Sequence, residues 1–327
     1  MQSSLQKPYF ILIHGPTGVG KTDFALELAR RLPRAHIVNA DLGQCYTPLT
    51  IGTAKPNWHV ESIPHHLFDI IDEPVNTTVV AYRNRVIALM QELWAQDIMP
   101  ILVGGSGFYL KSLLFPPADA TKPVDVDQSE KTRNTQDLWH KLAEIDQQRA
   151  AKLHPSDSYR IARALEIYEN TGKRPSDAMP QYNPPACNYL IVHLTRDRAD
   201  LYERINHRTV AMLESGWIEE VRRLQNTPWQ SFLEKKKLIG YDTILSYLKS
   251  SQDEQHKKEL IASIQQKTRN YAKRQETFWR MLRRAVEEEH ARDAAAAMSI
   301  KSLNLTLSSV DLYIDELFHI PHLYQLR

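Results

Sequence analysis

Short runs rich in apolar residues alternate along the chain with longer stretches that have helical periodicity. The short runs lie at 10–13, 36–40, 98–103 and 189–194. Runs of this length are typical of buried strands. Between them, apolar residues recur every three or four positions, as at Phe24, Leu28 and Leu32 and again from 77 to 94. Strands that alternate with helices predict an α/β protein with a parallel sheet flanked by helices.

A glycine-rich segment lies between the first predicted strand and the first predicted helix. It fits the Gly-x-x-x-x-Gly-Lys-Ser/Thr pattern of a phosphate-binding loop and consists of Gly15, Pro16, Thr17, Gly18, Val19, Gly20, Lys21 and Thr22. A glycine turn that opens a helix presents several backbone N–H groups at the positive end of the helix dipole, which favours an anion. Lys21 adds a point charge, and the Thr22 hydroxyl is the candidate ligand for Mg²⁺. The segment therefore predicts a P-loop, and the core is expected to be of the P-loop NTPase type.

Two other predicted strands end at residues suited to ligand binding. Asp41 directly follows the second strand, and the third strand runs into the glycine turn at 104–107. Residues just beyond the strand ends line the ligand crevice of a parallel sheet. Glycines there allow a polar ligand to approach the backbone closely. Together these features predict an anion site with a proton acceptor, Asp41, beside it.

Composition narrows the class of protein. The chain is 42% hydrophobic and 24% charged with a formal net charge of +2, so any nucleic-acid surface must come from local clustering. The only cysteines are Cys45 and Cys187, which argues against a disulfide framework or a zinc cluster and suits a reducing compartment. No apolar run approaches the roughly 18 residues of a membrane span, and the N-terminus lacks the apolar core of a signal peptide. We therefore expect a cytoplasmic protein without a membrane partner.

The character of the sequence changes after residue 115. Residues 118–136 are polar and predict a linker, two helical stretches follow, and several prolines between 175 and 185 then break the pattern. We predict a P-loop catalytic core at 1–116 and 186–285, with a small, mainly helical insertion domain at 117–185. Residues 286–327 form a C-terminal tail to which no role is assigned, although an alternating Leu303, Leu305 and Leu307 weakly indicates an edge strand.

A basic stretch lies at 265–284. It carries Lys267, Arg269, Lys273, Arg274, Arg280, Arg283 and Arg284. Glu276 is the single acid in it, and aromatic residues are interleaved. Such a helix is typical of a nucleic-acid-binding face. It is equally typical of a solvated helix that packs through its aromatic residues, and composition alone does not separate the two.

The chain carries a series of short motifs in a defined order. They are the P-loop, Asp41 with Gln44 and Tyr46, Ile-Gly-Thr-Ala-Lys-Pro at 51–56, Pro-His-His-Leu at 64–67, the glycine turn at 104–107, Arg160 with Arg-Ala-Leu-Glu at 163–166, Arg204 with Arg208, Ile-Gly-Tyr at 239–241 and Thr-Arg-Asn-Tyr-Ala-Lys-Arg-Gln at 268–275. The series resembles the tRNA dimethylallyltransferases, also called tRNA isopentenyltransferases. The runs at 51–56 and 268–275 are the specific ones, and the resemblance extends over roughly residues 8 to 285.

The resemblance implies a reaction. A dimethylallyl group passes from dimethylallyl diphosphate to N6 of the adenosine immediately 3′ of the anticodon, position 37, in tRNAs that read codons beginning with U. The products are N6-isopentenyladenosine and diphosphate, and Mg²⁺ is the expected cofactor. The partners are the tRNA anticodon stem-loop and the prenyl donor. A monomer is expected, because one tRNA per chain suffices.

The resemblance also implies roles for individual residues. Asp41 is the candidate general base, Ser106 lies in the channel that receives the flipped adenine, and Arg208 stabilises the leaving diphosphate with Thr22-bound Mg²⁺. The insertion is expected to grip the anticodon stem-loop, and the basic helix to contact the RNA backbone. The implied tRNA contacts are Asp41, Leu42, Gly43, Gln44, Arg160, Arg163, Tyr241, Lys273, Arg274, Gln275 and Arg280.

Some positions depart from the family pattern. Leu42 replaces a usual Ser, Thr47 a basic residue, Ser106 a Thr, and Asp242-Thr243 a basic residue followed by Gln or Glu. These departures bear on contacts to adenine and RNA more than on the class of reaction.

Two other functions fit parts of the sequence. A P-loop kinase of a nucleoside or small metabolite would use Asp41 as base and Mg²⁺-ATP as donor, but it leaves the basic helix without a role. A catalytically weakened RNA-binding relative is compatible with the departures. Asp41 itself has an alternative role as the strand-end Asp that holds magnesium in many P-loop enzymes.

Overall fold

The computed structural model describes residues 8–115, 135–177, 187–292 and 298–320. The chain divides into two compact units, Met1–Leu114 with Pro185–Arg327, and Phe115–Pro184. The first unit contains the P-loop and includes the C-terminal segment that sequence patterns separated from the core. The second unit is the insertion.

The first unit is built on a sheet of six strands that all pair in parallel, in the order β3-β2-β4-β1-β5-β6. Their bounds are β1 Tyr9–His14, β2 Ala35–Asn39, β3 His65–His66, β4 Met99–Gly104, β5 Asn188–Thr195 and β6 Met298–Asn304. The side chains of Ile11, Leu12 and Ile13 in β1 are completely buried, because β1 lies between β4 and β5 with both faces covered. Parallel strands buried on both faces appear as continuous apolar runs, which is why the sequence revealed β1. The predicted parallel α/β sheet is confirmed.

Helices surround this sheet and make up the insertion. The first unit contains α1 Lys21–Arg31, α2 Val79–Trp94 and α3 Gly107–Leu114, and after the insertion α7 Arg198–Glu214, α8 Trp217–Leu224, α9 Pro228–Lys236, α10 Tyr241–Tyr247, α11 Glu254–Arg292 and α12 Val310–Leu317. The insertion contains α4 Thr135–Ile145, α5 Gln147–Ala150 and α6 Ser158–Thr171. None of the helices in the described ranges is long and apolar enough to cross a membrane.

The basic stretch forms part of the 39-residue helix α11. One side of this helix is buried against the first unit through Leu260, Ile264, Ala272, Gln275, Trp279, Leu282 and Val286. The intervening cations, including Lys273 and Arg280, are exposed. The helix therefore packs through its aromatic and aliphatic face and still presents a cationic face to solvent, so the two sequence interpretations do not exclude each other.

The C-terminal segment belongs to the core of the first unit. β6 extends the sheet beside β5 in parallel register from Tyr189–Met298 to Thr195–Asn304. The predicted edge strand therefore exists, but it lies earlier in the sequence than its signal, since Leu305 and Leu307 follow its end. α12 buries Ile314 and Leu317 in the same apolar cluster as Phe24 of α1. Residues 298–320 thus complete the sheet edge and cover one face of α1.

The insertion has a small apolar core of its own, formed by Leu138, Leu142, Ala150, Leu153, Ile161, Ala164 and Leu165. Trp139 donates its indole N–H to the carbonyls of Ala150 and Leu153 at 3.2 and 3.1 Å. The described part of the insertion is helical, as the sequence predicted. Its part at 178–186, with most of the prolines, lies outside the described residues, as does the predicted linker up to residue 134.

Candidate active site

The P-loop connects β1 to α1 in a conformation that requires its glycines. Gly18 and Gly20 have φ angles of 84° and 107°, in the left-handed region that favours glycine. A Cβ on Gly15 would lie 2.4 Å from the carbonyl oxygen of Leu194, so the loop also packs too closely on β5 for a side chain. The loop therefore wraps tightly around the start of α1, as expected for a phosphate cradle.

Lys21 is folded over this loop. Its Nζ donates hydrogen bonds to the carbonyl oxygens of Gly15 and Pro16 at 3.0 and 2.9 Å. Burial lowers the pKa of Lys21 to about 8. The negative charge of Asp41 opposes this shift, and the nearby cation of Arg208 adds to it. The side chain is thus a desolvated cation that an anion in the loop would stabilise.

Asp41 is fixed at the end of β2 by short-range hydrogen bonds. Its backbone N–H donates to Oδ1 of Asn39 at 2.8 Å, and its own Oδ1 accepts from the N–H of Gly43 at 3.0 Å. Burial raises the pKa of Asp41, while the Gly43 N–H and the cations of Lys21 and Arg208 act in the opposite direction. A carboxyl group with a raised pKa, held in a fixed orientation, is suited to accept a proton.

Asp41 and Arg208 line a cavity of about 330 Å³ beside the P-loop. Its polar walls also include Thr17, Thr53, Thr209, Thr268 and Arg274. Its apolar walls include Ile205, Met212, Trp217, Ile239, Ile264 and Tyr271. A cavity that has the cations Arg208, Lys237 and Arg274 and the acid Asp41 among apolar walls fits a ligand that combines a hydrocarbon with an anion.

Gln275 is buried inside the protein. Its Oε1 accepts from the N–H of Thr17 at 2.8 Å, and its Nε2 donates to the carbonyl oxygen of Gly105 at 2.8 Å. The side chain is 6% exposed. The sequence resemblance placed Gln275 among the tRNA contacts. The amide of Gln275 bridges α11, the P-loop and the second glycine loop, and its contact with tRNA stays a prediction.

Tyr241 is another predicted tRNA contact that the structure places inside. Its hydroxyl donates to Oε1 of Glu220 at 2.7 Å. Glu220 also accepts the backbone N–H groups of Thr50, Ile51 and Gly52 at 3.1, 2.7 and 3.2 Å. The Tyr241 side chain borders the cavity while its hydroxyl is bonded to Glu220, so its contact with tRNA stays a prediction.

Glu220 was missed by the sequence analysis. It is a carboxylate that is only 4% exposed, and it pins the start of the Ile-Gly-Thr-Ala-Lys-Pro motif. The sequence does carry a signal for this role, because Glu220 lies on the apolar side of α8, where Trp217, Val221 and Leu224 are buried. A charged residue on the buried side of a helix needs partners, and the loop amides provide them.

Replacing Glu220 with Ala is expected to destabilise the protein by roughly 2–4 kcal/mol, because three backbone donors and a tyrosine hydroxyl lose their acceptor inside the protein. Urea unfolding followed by circular dichroism measures this change. The neighbouring Glu219 is exposed, so Glu219→Ala is the matched control and should change stability by about 0.5 kcal/mol or less. Equal effects of the two substitutions would contradict the anchoring role.

The other residues predicted to lie near the adenine differ in whether they line the cavity. Gly43 lines the cavity, whereas Leu42 and Ser106 are partly buried and do not. The amide of Gln44 donates to the carbonyl oxygens of Thr53 and Ala54 at 3.1 and 3.3 Å. The structure therefore brings Asp41, Gly43 and Arg208 to one cavity, while Ser106 begins the turn into α3 outside its walls.

The predicted RNA-contacting cations are mostly at the surface. In the first unit, Lys273, Arg274 and Arg280 are exposed on α11, and Arg274 lies over the ring of Tyr271 at 5.7 Å. In the insertion, Arg160 lies 3.5 Å from Asp157 and Arg163 donates to Glu166 at 2.7 Å, all on or next to α6. Their contact with RNA stays a prediction.

A P-loop on a parallel sheet, with a buried lysine, a strand-end carboxylate and an adjoining cavity that is partly apolar, places the protein in the class of P-loop enzymes. The family model for IPP transferase matches residues 44–282. The chain belongs to this IPP transferase family, and the resemblance inferred from its motifs is confirmed.

Individual relatives agree with this assignment. The chain is 38% identical over 284 residues to a protein named tRNA dimethylallyltransferase from Geobacter sulfurreducens, covering 84% of this chain and 89% of the relative. It is 36% identical over 282 residues to a protein of the same name from Alkaliphilus metalliredigens, with the same coverage of both chains.

Solved structures show the same fold. The full-length tRNA isopentenylpyrophosphate transferase from Bacillus halodurans superposes with a TM-score of 0.64 at 29% identity, covering 98% of each chain. A eukaryotic dimethylallyltransferase described as acting on tRNA gives a TM-score of 0.76 at 28% identity, covering 96% of this chain and 78% of the other. The P-loop NTPase-like core predicted from the sequence is confirmed.

Proposed function

We propose that this protein is a tRNA dimethylallyltransferase. It transfers a dimethylallyl group from dimethylallyl diphosphate to N6 of the adenosine at position 37, in tRNAs that read codons beginning with U. The observation that carries the proposal is the half-apolar cavity lined by Asp41 and Arg208 beside the P-loop. Membership of the IPP transferase family supports it.

The cavity offers a group for each change in charge during this reaction. The bond between the allylic carbon and the diphosphate oxygen breaks, and its electron pair leaves with diphosphate. Lys21, Arg208 and the P-loop N–H groups stabilise that negative charge. The N6 lone pair forms the new C–N bond, and Asp41 accepts the proton that N6 loses. The apolar walls hold the five-carbon group.

Oxygen ligands at the P-loop fit a magnesium ion. Thr22 offers a hydroxyl in the first turn of α1, and Asp41 offers a carboxylate. Within the described ranges no group of three or more His, Cys, Asp or Glu side chains could hold a metal ion. Mg²⁺ is commonly bound by one or two protein ligands together with substrate phosphates and water, so this sparse set suits it. When bound, Mg²⁺ supplies positive charge to the leaving diphosphate.

The acceptor in this reaction is an adenine of tRNA. An adenine that is paired or stacked in RNA must be flipped out before its N6 can react. Lys273, Arg274 and Arg280 of α11, and Arg160 and Arg163 of the insertion, are the residues proposed to contact tRNA. We further propose that the protein acts as a monomer in the cytoplasm.

Incubation of the purified protein with labelled dimethylallyl diphosphate, Mg²⁺ and unmodified tRNA tests the proposal. Label is expected in the nucleoside immediately 3′ of the anticodon, identified by nuclease digestion and mass spectrometry. The same tRNA with guanosine at position 37 is the matched control and should stay unlabelled. Absence of transfer to tRNA, together with ATP turnover in the presence of a nucleoside, would instead establish the kinase alternative.

A further inference from the structure

A small cavity lies beside Thr22, the residue proposed to bind Mg²⁺. Its volume is about 20 Å³, and its polar lining residues are Thr22 of α1, Gln44, and His65 of β3. Apolar side chains form the rest of its walls. A cavity of this size has room for one water molecule, which is held there when several polar groups bond to it. We call it the Thr22 cavity.

His65 has a buried ring nitrogen, Nε2, that lacks a hydrogen-bond partner in the described ranges. The other ring nitrogen, Nδ1, lies 2.7 Å from the carbonyl oxygen of Ile63. Because a carbonyl only accepts, Nδ1 carries the proton and Nε2 is the acceptor. A buried acceptor that stays unpaired costs free energy, so the burial of Nε2 favours a donor such as water next to it.

The environment of His65 favours the neutral ring. Burial lowers the pKa of His65, while the hydrogen bond to Ile63 and the charge of Glu61 act in the opposite direction. A neutral ring that has its proton on Nδ1 has a lone pair at Nε2. In this form His65 accepts a hydrogen bond through Nε2 and does not donate one there.

The two other polar side chains of the Thr22 cavity complement this acceptor. The Thr22 hydroxyl has one O–H and two lone pairs, and it rotates to suit its partners. To present a lone pair to Mg²⁺, it must direct its O–H toward a different acceptor. The amide nitrogen of Gln44 donates to the carbonyl oxygens of Thr53 and Ala54 at 3.1 and 3.3 Å, so the amide oxygen is the end of Gln44 that can accept from a water.

We propose that His65 positions the Thr22 hydroxyl through one water molecule in the Thr22 cavity. Thr22 donates its O–H to the water, the water donates to Nε2 of His65, and its second hydrogen is available to the amide oxygen of Gln44. The lone pairs of Thr22 are then directed toward Mg²⁺. This inference rests on the proposed function, because it takes Thr22 as the ligand of Mg²⁺. Groups that orient a metal ligand in this way commonly determine how tightly the metal binds.

Two substitutions of His65 separate the role of Nε2 from the bond to Ile63. Asn keeps a donor near the position of Nδ1 and lacks a group at Nε2, whereas Gln reaches the position of Nε2 with an acceptor and gives up the bond to Ile63. Electron paramagnetic resonance measures the binding of Mn²⁺, as a substitute for Mg²⁺, in the presence of inorganic pyrophosphate. His65→Asn should weaken Mn²⁺ binding about 10- to 100-fold, the usual effect of losing a group that orients a metal ligand. His65→Gln should bind Mn²⁺ nearly as wild type does.

A double-mutant cycle tests whether His65 acts through Thr22. Thr22→Val keeps the shape of the side chain and removes the hydroxyl, so it should weaken Mn²⁺ binding on its own. In the Thr22→Val background, His65→Asn should cause no further loss, because the hydroxyl that His65 orients is already absent. His140→Asn, at an exposed position of α4, is the matched control and should keep the wild-type affinity for Mn²⁺. Circular dichroism melting checks that all variants are folded.

Equal Mn²⁺ affinity in wild type and His65→Asn would overturn the proposal, and so would an equal loss in the wild-type and Thr22→Val backgrounds. A larger loss for His65→Gln than for His65→Asn would also overturn it, by assigning the effect to the Ile63 bond. A wild-type protein that binds no Mn²⁺ with pyrophosphate would reject both the proposal and Thr22 as a metal ligand. Failure of the proposed function reads differently: wild type would then transfer no label to tRNA, while His65 and Thr22 stay coupled in Mn²⁺ binding.

Discussion

Replacing Asp41 with Asn is expected to lower the rate of dimethylallyl transfer to tRNA by at least about 10²-fold, the usual contribution of a general base. Asn keeps the size of the side chain and the oxygen that accepts from the Gly43 N–H, so the local turn should persist. Affinity for tRNA should therefore change little. Single-turnover transfer with enzyme in excess, and tRNA binding by filter retention, measure the two effects separately.

Asp97→Asn is the matched control, since Asp97 is exposed in the turn after α2, and it should retain the wild-type rate. Weaker tRNA binding with unchanged chemistry would reject the role of Asp41 as base. Recovery of the Asp41→Asn rate at raised Mg²⁺ would show that the carboxylate mainly holds the metal ion, the alternative that its strand-end position leaves open.

Replacing Lys21 with Met should lower kcat/KM for the prenyl donor by about 10²- to 10³-fold, the range observed when one stabilising group is removed from a developing anion. Met retains the length of the side chain but loses the charge that the buried loop otherwise directs at the diphosphate. Affinity for inorganic pyrophosphate should fall in parallel. Lys301→Met, at an exposed position of β6, is the control, and equal kcat/KM values for both variants would remove Lys21 from the mechanism.

Local sequence patterns were sufficient to predict the core of the fold and to place Asp41 beside the P-loop. β1, the P-loop and α1 are contiguous in sequence, so their apolar run, glycines and helical spacing could be recognised together. Asp41 could be placed because the end of a parallel strand faces the ligand crevice whatever the rest of the fold does. These predictions depend on short segments and on one general rule of sheet geometry.

Contacts between distant parts of the chain could not be predicted from local sequence patterns. The hydrogen bond from Thr17 to Gln275 joins residues 258 positions apart. Glu220 lies about 170 positions from the loop that it pins. A motif shows that Gln275 and Tyr241 belong to a functional region, but not whether they contact the ligand or support the residues that do. That distinction is decided by tertiary packing.

Two departures from the family pattern form hydrogen bonds within the chain. Asp242 accepts from Nζ of Lys267 at 2.9 Å, and Thr243 accepts from the same group at 2.8 Å. Asp242 therefore compensates the charge of Lys267 in the basic helix, and Thr243 is a second hydrogen-bond acceptor, where the family usually has a further basic residue. Thr47 is similarly engaged, since its hydroxyl donates to Asp72 at 2.6 Å. Both changes alter the local charge while leaving Asp41, Lys21 and Arg208 in place.

Arg196 links the P-loop to a segment that the ribosome makes much later. Its guanidinium holds Val19 of the P-loop and Leu305, which follows β6, at the same time. The P-loop is made before residue 305, so this support arrives only when residue 305 has emerged. Contacts of such long sequence separation form late in folding. A nascent chain would thus present its phosphate loop without this support until the segment around Leu305 has been made, and donor binding would report the arrival of that segment.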